Sequence, residues 1–243
     1  MSEVEIIRYG HIHGLSLFLN RVEYRTPHLH PEWELMWILD GTLSVRAGDR
    51  EYCVKKGSLV LFPPLFVHEL SAETSTAVFL CLQMTPSFLG LAESVTSESI
   101  LPGDFLAGDE ILKVKRMLLG AALPYFERPP FFQMYCRGEC TLLMHDILVR
   151  MPVRVLSAEE TAVRNRKTER LKRLMDYVEE HYAEKIKLSD FALKEGVSMN
   201  YLSHFVKSSL NQSFQSYVNL VRFHAACILI SSRKYRMSDP NFS

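Results

Sequence analysis

The sequence predicts an α+β protein of two domains, a β-barrel followed by helices and then an all-α helix-turn-helix domain. Three observations carry this expectation. From Val4 to about Met84, short apolar runs are separated by turn residues, with no helical period between them. From Gly108 the apolar residues recur three and four apart, the period of an amphipathic helix. Charge is also split: the net charge of the 243 residues is zero, yet residues 1–160 carry 14 Lys and Arg against 20 Asp and Glu, and residues 161–243 carry 14 against 8. An acidic first part and a basic last part suggest a polyanion-binding module joined to something else.

In the first part, "ELMWILDGTLSVRAGDREYCV" places two apolar runs around Asp40-Gly41, a hairpin dipeptide, with a second turn at Gly48-Asp49. "GSLVLFPPLFVHEL" and "TAVFLCLQM" continue the series, so residues 1–90 are expected to close into a small barrel or sandwich. Residues 91–151 are expected to be helical. "GDEILKVKRMLLGAALPY" and "PFFQMYCRGECTLLMHDILVRM" are separated by Pro129-Pro130, and Leu112, Leu119, Leu143 and Leu148 are candidate homodimer contacts. Residues 152–168 are polar and read as a linker, and residues 169–243 form the last domain.

Composition excludes several classes. No apolar run reaches the eighteen or so residues that a membrane span needs. The N-terminus, "MSEVEIIRYGHIHG", lacks the basic-then-apolar pattern of a secretory signal, and a cytoplasmic location is expected. Five cysteines without paired spacing fit reduced thiols, and Cys136 and Cys140, four apart, read as one buried helix face.

"KLSDFALKEGVSMNYLSHFVKSSLN" is the most informative stretch. Leu188, Ala192 and Leu193 give a short helix a buried side, Gly196 supplies a tight turn and Ser198 caps the next helix. Leu202, Phe205 and Val206 then point inward, leaving Asn200, Tyr201, Ser203, His204 and Lys207 as the candidate DNA-binding face. A helical bundle without DNA-binding function also contains such helix pairs. The longer pattern of Ala192, Gly196, Ser198, Leu202, Phe205, Lys207, Ser213-Phe214, Tyr217, Arg222 and Ala226 resembles the DNA-binding domain of the AraC/XylS family of transcription regulators over Leu171–Ile230. Asn211 stands where that family usually has glycine.

The resemblance implies two helix-turn-helix motifs joined by a long helix, "SFQSYVNLVRFHAACILI". It places Asn200, Ser203 and His204 at base-facing positions and Lys207 on phosphate. A phosphate-facing or solvated His204 is the competing assignment. After Ile230 only "SSRKYRMSDPNFS" follows, so the second motif is expected to be incomplete, and an inactive, truncated regulator is one alternative.

His28-x-His30-x-x-x-Glu34, followed by Gly41, resembles the first motif of the cupin superfamily, and Gly57, Pro63 and His68 resemble the second. Leu65 stands where a cupin usually has glycine. The resemblance implies a cupin-like barrel whose effector pocket is built from His28, His30, Glu34, Met36, Phe62 and His68. In cupin enzymes the three histidines and the carboxylate bind a divalent metal. Sensor barrels of the AraC family carrying this pattern are generally metal-free, so no metal or other cofactor is favoured here. If one binds, His28, His30, Glu34 and His68 are its ligands. Trp33, Trp37, Tyr52 and Phe62 suggest an aromatic platform for a sugar, while alternation puts Trp37 on the face opposite Glu34.

The expected function is therefore non-enzymatic. A small molecule sensed in the barrel alters how a homodimer presents its reading heads to double-stranded DNA. The alternative from a different class is a cupin metalloenzyme, a dioxygenase or isomerase, with a helical accessory domain.

Overall fold

Strands β1 (Leu15–Val22), β2 (Tyr24–His28), β3 (Trp33–Asp40), β4 (Thr42–Ala47), β5 (Arg50–Lys55), β6 (Leu59–Phe62), β7 (His68–Ala72) and β8 (Ala77–Met84) follow one another without an intervening helix. The structure, a computed structural model, describes residues 11–47, 50–97, 101–102, 106, 108–210 and 212–236. The strands form two antiparallel sheets. One has the order β1-β8-β3-β6-β10, with β10 at Leu101–Pro102, and the other β2-β7-β4-β5.

Asp40-Gly41 does not make the expected hairpin. β3 pairs with β6 and β8, whereas β4 pairs with β5 and β7, so this dipeptide is the corner where the chain leaves one sheet for the other. Glycine is needed there: Gly41 has φ +79°, and a Cβ would lie 2.7 Å from the Thr76 carbonyl oxygen. The hairpin is β4–β5, with Ala47 opposite Arg50; Gly48-Asp49 lies outside the described residues.

Alternation along β3 sorts its side chains into two cores. Met36 and Ile38 point into the barrel with Val45, Val60, Phe62 and Cys81. Trp33 and Leu35 point outward onto helices α1 (Asp109–Glu127) and α2 (Phe132–Leu148), where they meet Leu118, Ala121, Cys140 and Leu143. Trp37 lies on this outer face, with the Lys115 ammonium 5.5 Å from its ring centroid. The expected aromatic platform is thus divided: Trp33 and Trp37 face the helices, and Phe62 and Tyr52 belong to the barrel interior.

Cys136 and Cys140 are buried on the barrel-facing side of α2, where burial raises their thiol pKa values. Leu143 is buried in the same core, which corrects its assignment as a dimer contact: its side chain is spent within the subunit. Leu148 packs half-buried against that core, whereas Leu112 and Leu119 are exposed.

Residues 152–168 are a larger correction. After β11 (Arg154–Val155), which pairs with β9 (Val95–Thr96), α3 runs from Ala158 to His181 without a break. Its start is fixed by a capping box, with Ser157 Oγ accepting from the Glu160 N–H and the Glu160 carboxylate accepting from the Ser157 N–H. A charged surface helix has the composition of a linker, and this cap distinguishes the two.

The helical domain is built from α3, α4 (Leu188–Glu195), α5 (Met199–Leu210) and α6 (Phe214–Arg236). Gly196, at φ +65°, ends α4, and the Ser198 hydroxyl accepts from the Tyr201 N–H to begin α5. Phe191, Ala192, Leu202, Phe205 and Val206 are buried, but Leu193, expected inside, is 85 % exposed. Phe191, two positions before it on α4, supplies the buried bulk in its place. Residues 237–243, including the "SDPNF" stretch, lie outside the described residues, as does Asn211.

Glu195 locks α4 to α3. Its carboxylate, 9 % exposed, accepts from Arg173 Nε at 2.7 Å, Arg173 Nη2 at 2.8 Å and Arg170 Nε at 3.2 Å. The hydrogen bond from Arg173 lowers its pKa most, with Arg170 adding to it against the opposing effect of burial. A carboxylate depressed in the folded state stabilises above its unfolded pKa and loses that contribution as pH falls through its folded value. Glu195→Gln should therefore cost about 1–2 kcal/mol at neutral pH. In urea titrations the difference from wild type should close as pH is taken below 4.5, the ordinary value. A constant difference down to pH 3 would contradict this.

Candidate functional site

The sheet register assembles the site. His28 on β2 lies directly opposite His68 on β7, while Glu34 on β3 lies between Phe62 on β6 and Gln83 on β8. His30 follows β2 and closes the group. Ligand-capable atoms of His28, His30, Glu34 and His68 all lie within 4.8 Å of one another, and all four side chains are buried. The expected quartet is therefore a physical cluster, with the Phe62 ring stacked on His68 at 4.0 Å between centroids and Met36 in the barrel core with Phe62.

Backbone carbonyls orient two of the imidazoles. His28 Nδ1 is 2.9 Å from the Thr26 oxygen and His68 Nδ1 is 2.9 Å from the Phe66 oxygen. A carbonyl can only accept, so each Nδ1 carries the hydrogen. In neutral rings that leaves the Nε2 lone pairs for the cluster. His68 Nε2 lies 3.7 Å from Glu34 Oε2, and His30 Nε2 is hydrogen-bonded to the same oxygen.

Burial alone would raise the Glu34 pKa. The positive charge on His30 and its hydrogen bond overcome it, with the nearby His68 ring adding to the effect, and Glu34 is held ionised well below the usual carboxylate range. Burial, reinforced by His68, lowers His28 well below its ordinary value.

Two members of the site escaped the sequence reading. Cys81 Sγ and Gln83 Nε2, both from β8, donate to Glu34 at 3.3 Å each. A buried glutamine in an otherwise apolar strand was the available signal. That it lies opposite Glu34 depends on strand register, which pairs residues far apart in the chain.

This donor set fits a divalent cation by its chemistry: two backbone-oriented imidazoles, a third imidazole and an ionised carboxylate. His28, His30, Glu34 and His68 would hold the ion, which would supply a fixed positive charge and coordination positions for a ligand oxygen. Without an ion, the same groups form a polar floor able to donate to and accept from a small polar ligand.

On the helical domain, Asn200, Ser203, His204 and Lys207 are exposed at spacings that share one face of α5. Tyr201, also exposed, is tied back to α3: its hydroxyl accepts from Arg170 Nη1 at 3.0 Å, and the Arg170 guanidinium lies 5.5 Å from its ring centroid. Tyr201 thus fixes the position of the α5 N-terminus.

The two halves meet beside the quartet. Leu29, between His28 and His30, is 3 % exposed and lies in the helical domain's core with Leu174, Phe205 and Leu210, and Leu65 and Val67 pack against the same core. Leu65 has φ +62°, the left-handed conformation that favours the glycine usual at this position, and its N–H donates to the His30 carbonyl at 2.8 Å. That backbone costs about 1–2 kcal/mol for an L-residue, and packing against the helical domain helps to hold it.

A cupin-like sensor barrel with an inward polar quartet, joined to a helix-turn-helix domain, defines the class of protein. Residues 16–123 match the family model of the AraC-like ligand binding domain. Residues 16–123 are thus a ligand-binding domain of the AraC-like kind.

The chain is 21 % identical over 233 residues to an uncharacterized HTH-type transcriptional regulator, YdeC of Bacillus subtilis (strain 168), covering 88 % of this chain and 76 % of that protein. A second regulator of that organism, YbfI, also uncharacterized, is 21 % identical over 243 residues, covering 89 % and 78 %. Among solved structures, a ToxT variant from Vibrio cholerae covers 86 % of this chain and 98 % of its own at 11 % identity and a TM-score of 0.38. A Bacillus subtilis oxalate decarboxylase mutant covers 30 % and 22 % at 27 % identity and 0.28. Among the described residues, no helix is long and apolar enough to cross a membrane.

Proposed function

We propose that this chain is an effector-responsive, sequence-reading DNA-binding regulator without catalytic activity, and that its effector is a small polar molecule held by His28, His30, Glu34 and His68. One observation carries the reading: the backbone segment that bears His28 and His30 is also the surface on which the helical domain rests, through Leu29. A ligand that draws His30 away from Glu34 moves Leu29 and, through the hydrogen bond from the Leu65 N–H, the turn beside it. Barrel occupancy and helical-domain docking then share one free energy, which is what allosteric coupling requires. A sugar suits the mixed donors and acceptors and the single stacked ring of Phe62.

At the other end, Asn200 and Ser203 read base edges and Lys207 neutralises a phosphate, with His204 beside them. Leu112 and Leu119, exposed on α1, serve a homodimer that presents two such helices.

The test is binding to DNA from upstream of the chain's own coding sequence against a scrambled duplex, over a range of salt. Asn200→Ala should cost about 1–3 kcal/mol on the preferred duplex and weaken discrimination. Lys207→Gln should weaken both duplexes alike and reduce the slope of log K against log salt by about 0.9. Equal, variant-insensitive binding to both duplexes would remove this face of α5 from the reading.

A further inference from the structure

The quartet leaves unexplained two crevices at the domain junction. One, of about 610 Å3, lies between the barrel rim at Leu65 and Phe66 and the start of α3 at Val163, Arg164 and Lys167. A second, of about 200 Å3, adjoins it and shares Pro64, Leu65 and Arg164. The larger volume falls within the roughly 300–1,000 Å3 of small-molecule sites. Its walls are mainly apolar, from Leu65, Phe66, Leu156 and Val163.

Arg164 stands in the wall common to both crevices and is the unusual group there. Nη2 donates to the Glu93 backbone carbonyl at 2.8 Å, while Nε and Nη1 are buried without a hydrogen-bond partner among the described residues. A guanidinium removed from water with two nitrogens unsatisfied is costly unless an anion completes it. Burial lowers its pKa, and the nearby Glu93 charge restores it only in part.

The other charges at the crevice do not meet that need. Arg154 and Glu160 pair with each other, and Glu160 also closes the α3 capping box. Glu159 and Glu169 are exposed, and Lys167 adds a second exposed cation at the rim. The result is an apolar slot with a half-buried cation in its wall, two of whose nitrogens have no hydrogen-bond partner among the described residues.

We propose that this crevice is a second ligand site, separate from the barrel quartet, for a small carboxylate with an apolar body. The carboxylate sits against Arg164, with Lys167 attracting it to the mouth, and the apolar body lies over Leu65, Phe66 and Val163. An occupant bridges the barrel rim and α3, so it stabilises the docked arrangement of the two domains.

The experiment is calorimetric titration of the full chain, without DNA, using cyclohexylacetate, phenylacetate and octanoate, each beside its neutral primary amide. Binding read without DNA and without a quartet ligand stands or falls apart from the regulatory reading. At least one carboxylate should bind, with its amide at least tenfold weaker. Arg164→Gln should weaken the carboxylate by tenfold or more, Arg164→Lys by less, and Val163→Glu should abolish binding by placing a like charge on the apolar wall. Val163 is 37 % exposed, so that variant keeps the fold testable if removal of the guanidinium does not. Absence of binding by all three carboxylates, equal binding of acid and amide, or affinity unchanged in both Arg164→Gln and Val163→Glu would overturn the proposal.

Discussion

Glu34→Ala is expected to lower the stability of the barrel by about 3–5 kcal/mol, because it removes one partner of a buried ionic cluster and leaves the others uncompensated. Glu34 accepts from His30, Cys81 and Gln83 and lies near His68, so its loss strands two donors on β8 and one in the loop after β2. The remaining imidazoles are already crowded, with His28 and His68 ring centroids 4.1 Å apart and His30 and His68 5.3 Å apart. Glu34→Gln keeps the volume and one acceptor and should lose distinctly less. The readout is convenient: both tryptophans of the chain, Trp33 and Trp37, lie on β3, so their fluorescence in a urea titration follows the barrel and not the helical domain. A wild-type midpoint for Glu34→Ala would show that the cluster is not held together by its carboxylate.

Leu29→Asp should separate the domains without unfolding either. Leu29 belongs to the barrel chain but is buried in the helical domain's core. Its loss removes about 1.5–3 kcal/mol of apolar burial, and a carboxylate in its place adds a desolvation cost that docking would have to bear. Parting of the two domains returns that carboxylate to water, whereas unfolding the barrel would gain nothing more. Small-angle scattering should show a larger radius of gyration, while the tryptophan transition stays at its wild-type midpoint. An unchanged radius with an unchanged midpoint would mean that the Leu29 contact does not hold the domains together. If the proposed coupling holds, the same variant also uncouples DNA affinity from effector.

Some of this organisation could be read directly because it is local. Gly196 and Ser198 mark the turn between α4 and α5, and both act as their residue types require. The capping box at Ser157 and Glu160 is equally local: the polar composition of residues 152–168 is that of a linker, but this start signal makes helix from Ala158 onward. Other errors were non-local. Asp40-Gly41 has the chemistry of a hairpin turn, but whether the strands beside it pair with each other is decided by what else competes for their edges. Leu143 and Leu112 look alike on a helical wheel, and only the packing of α1 and α2 against β3 buries one and exposes the other.

The sequence by itself determined most classes of element and, through the helical period, the outward set on α5, while its resemblance to the cupin motifs supplied the inward set His28, His30, Glu34 and His68. Tertiary structure alone decided that Cys81 and Gln83 complete the carboxylate's partners, that Leu29 leaves its own barrel for the core of the helical domain, and that Arg164 reaches the junction with two nitrogens unpaired among the described residues. Each of these depends on contacts between segments tens of residues apart, and periodicity carries no information about which face of one segment meets which face of another.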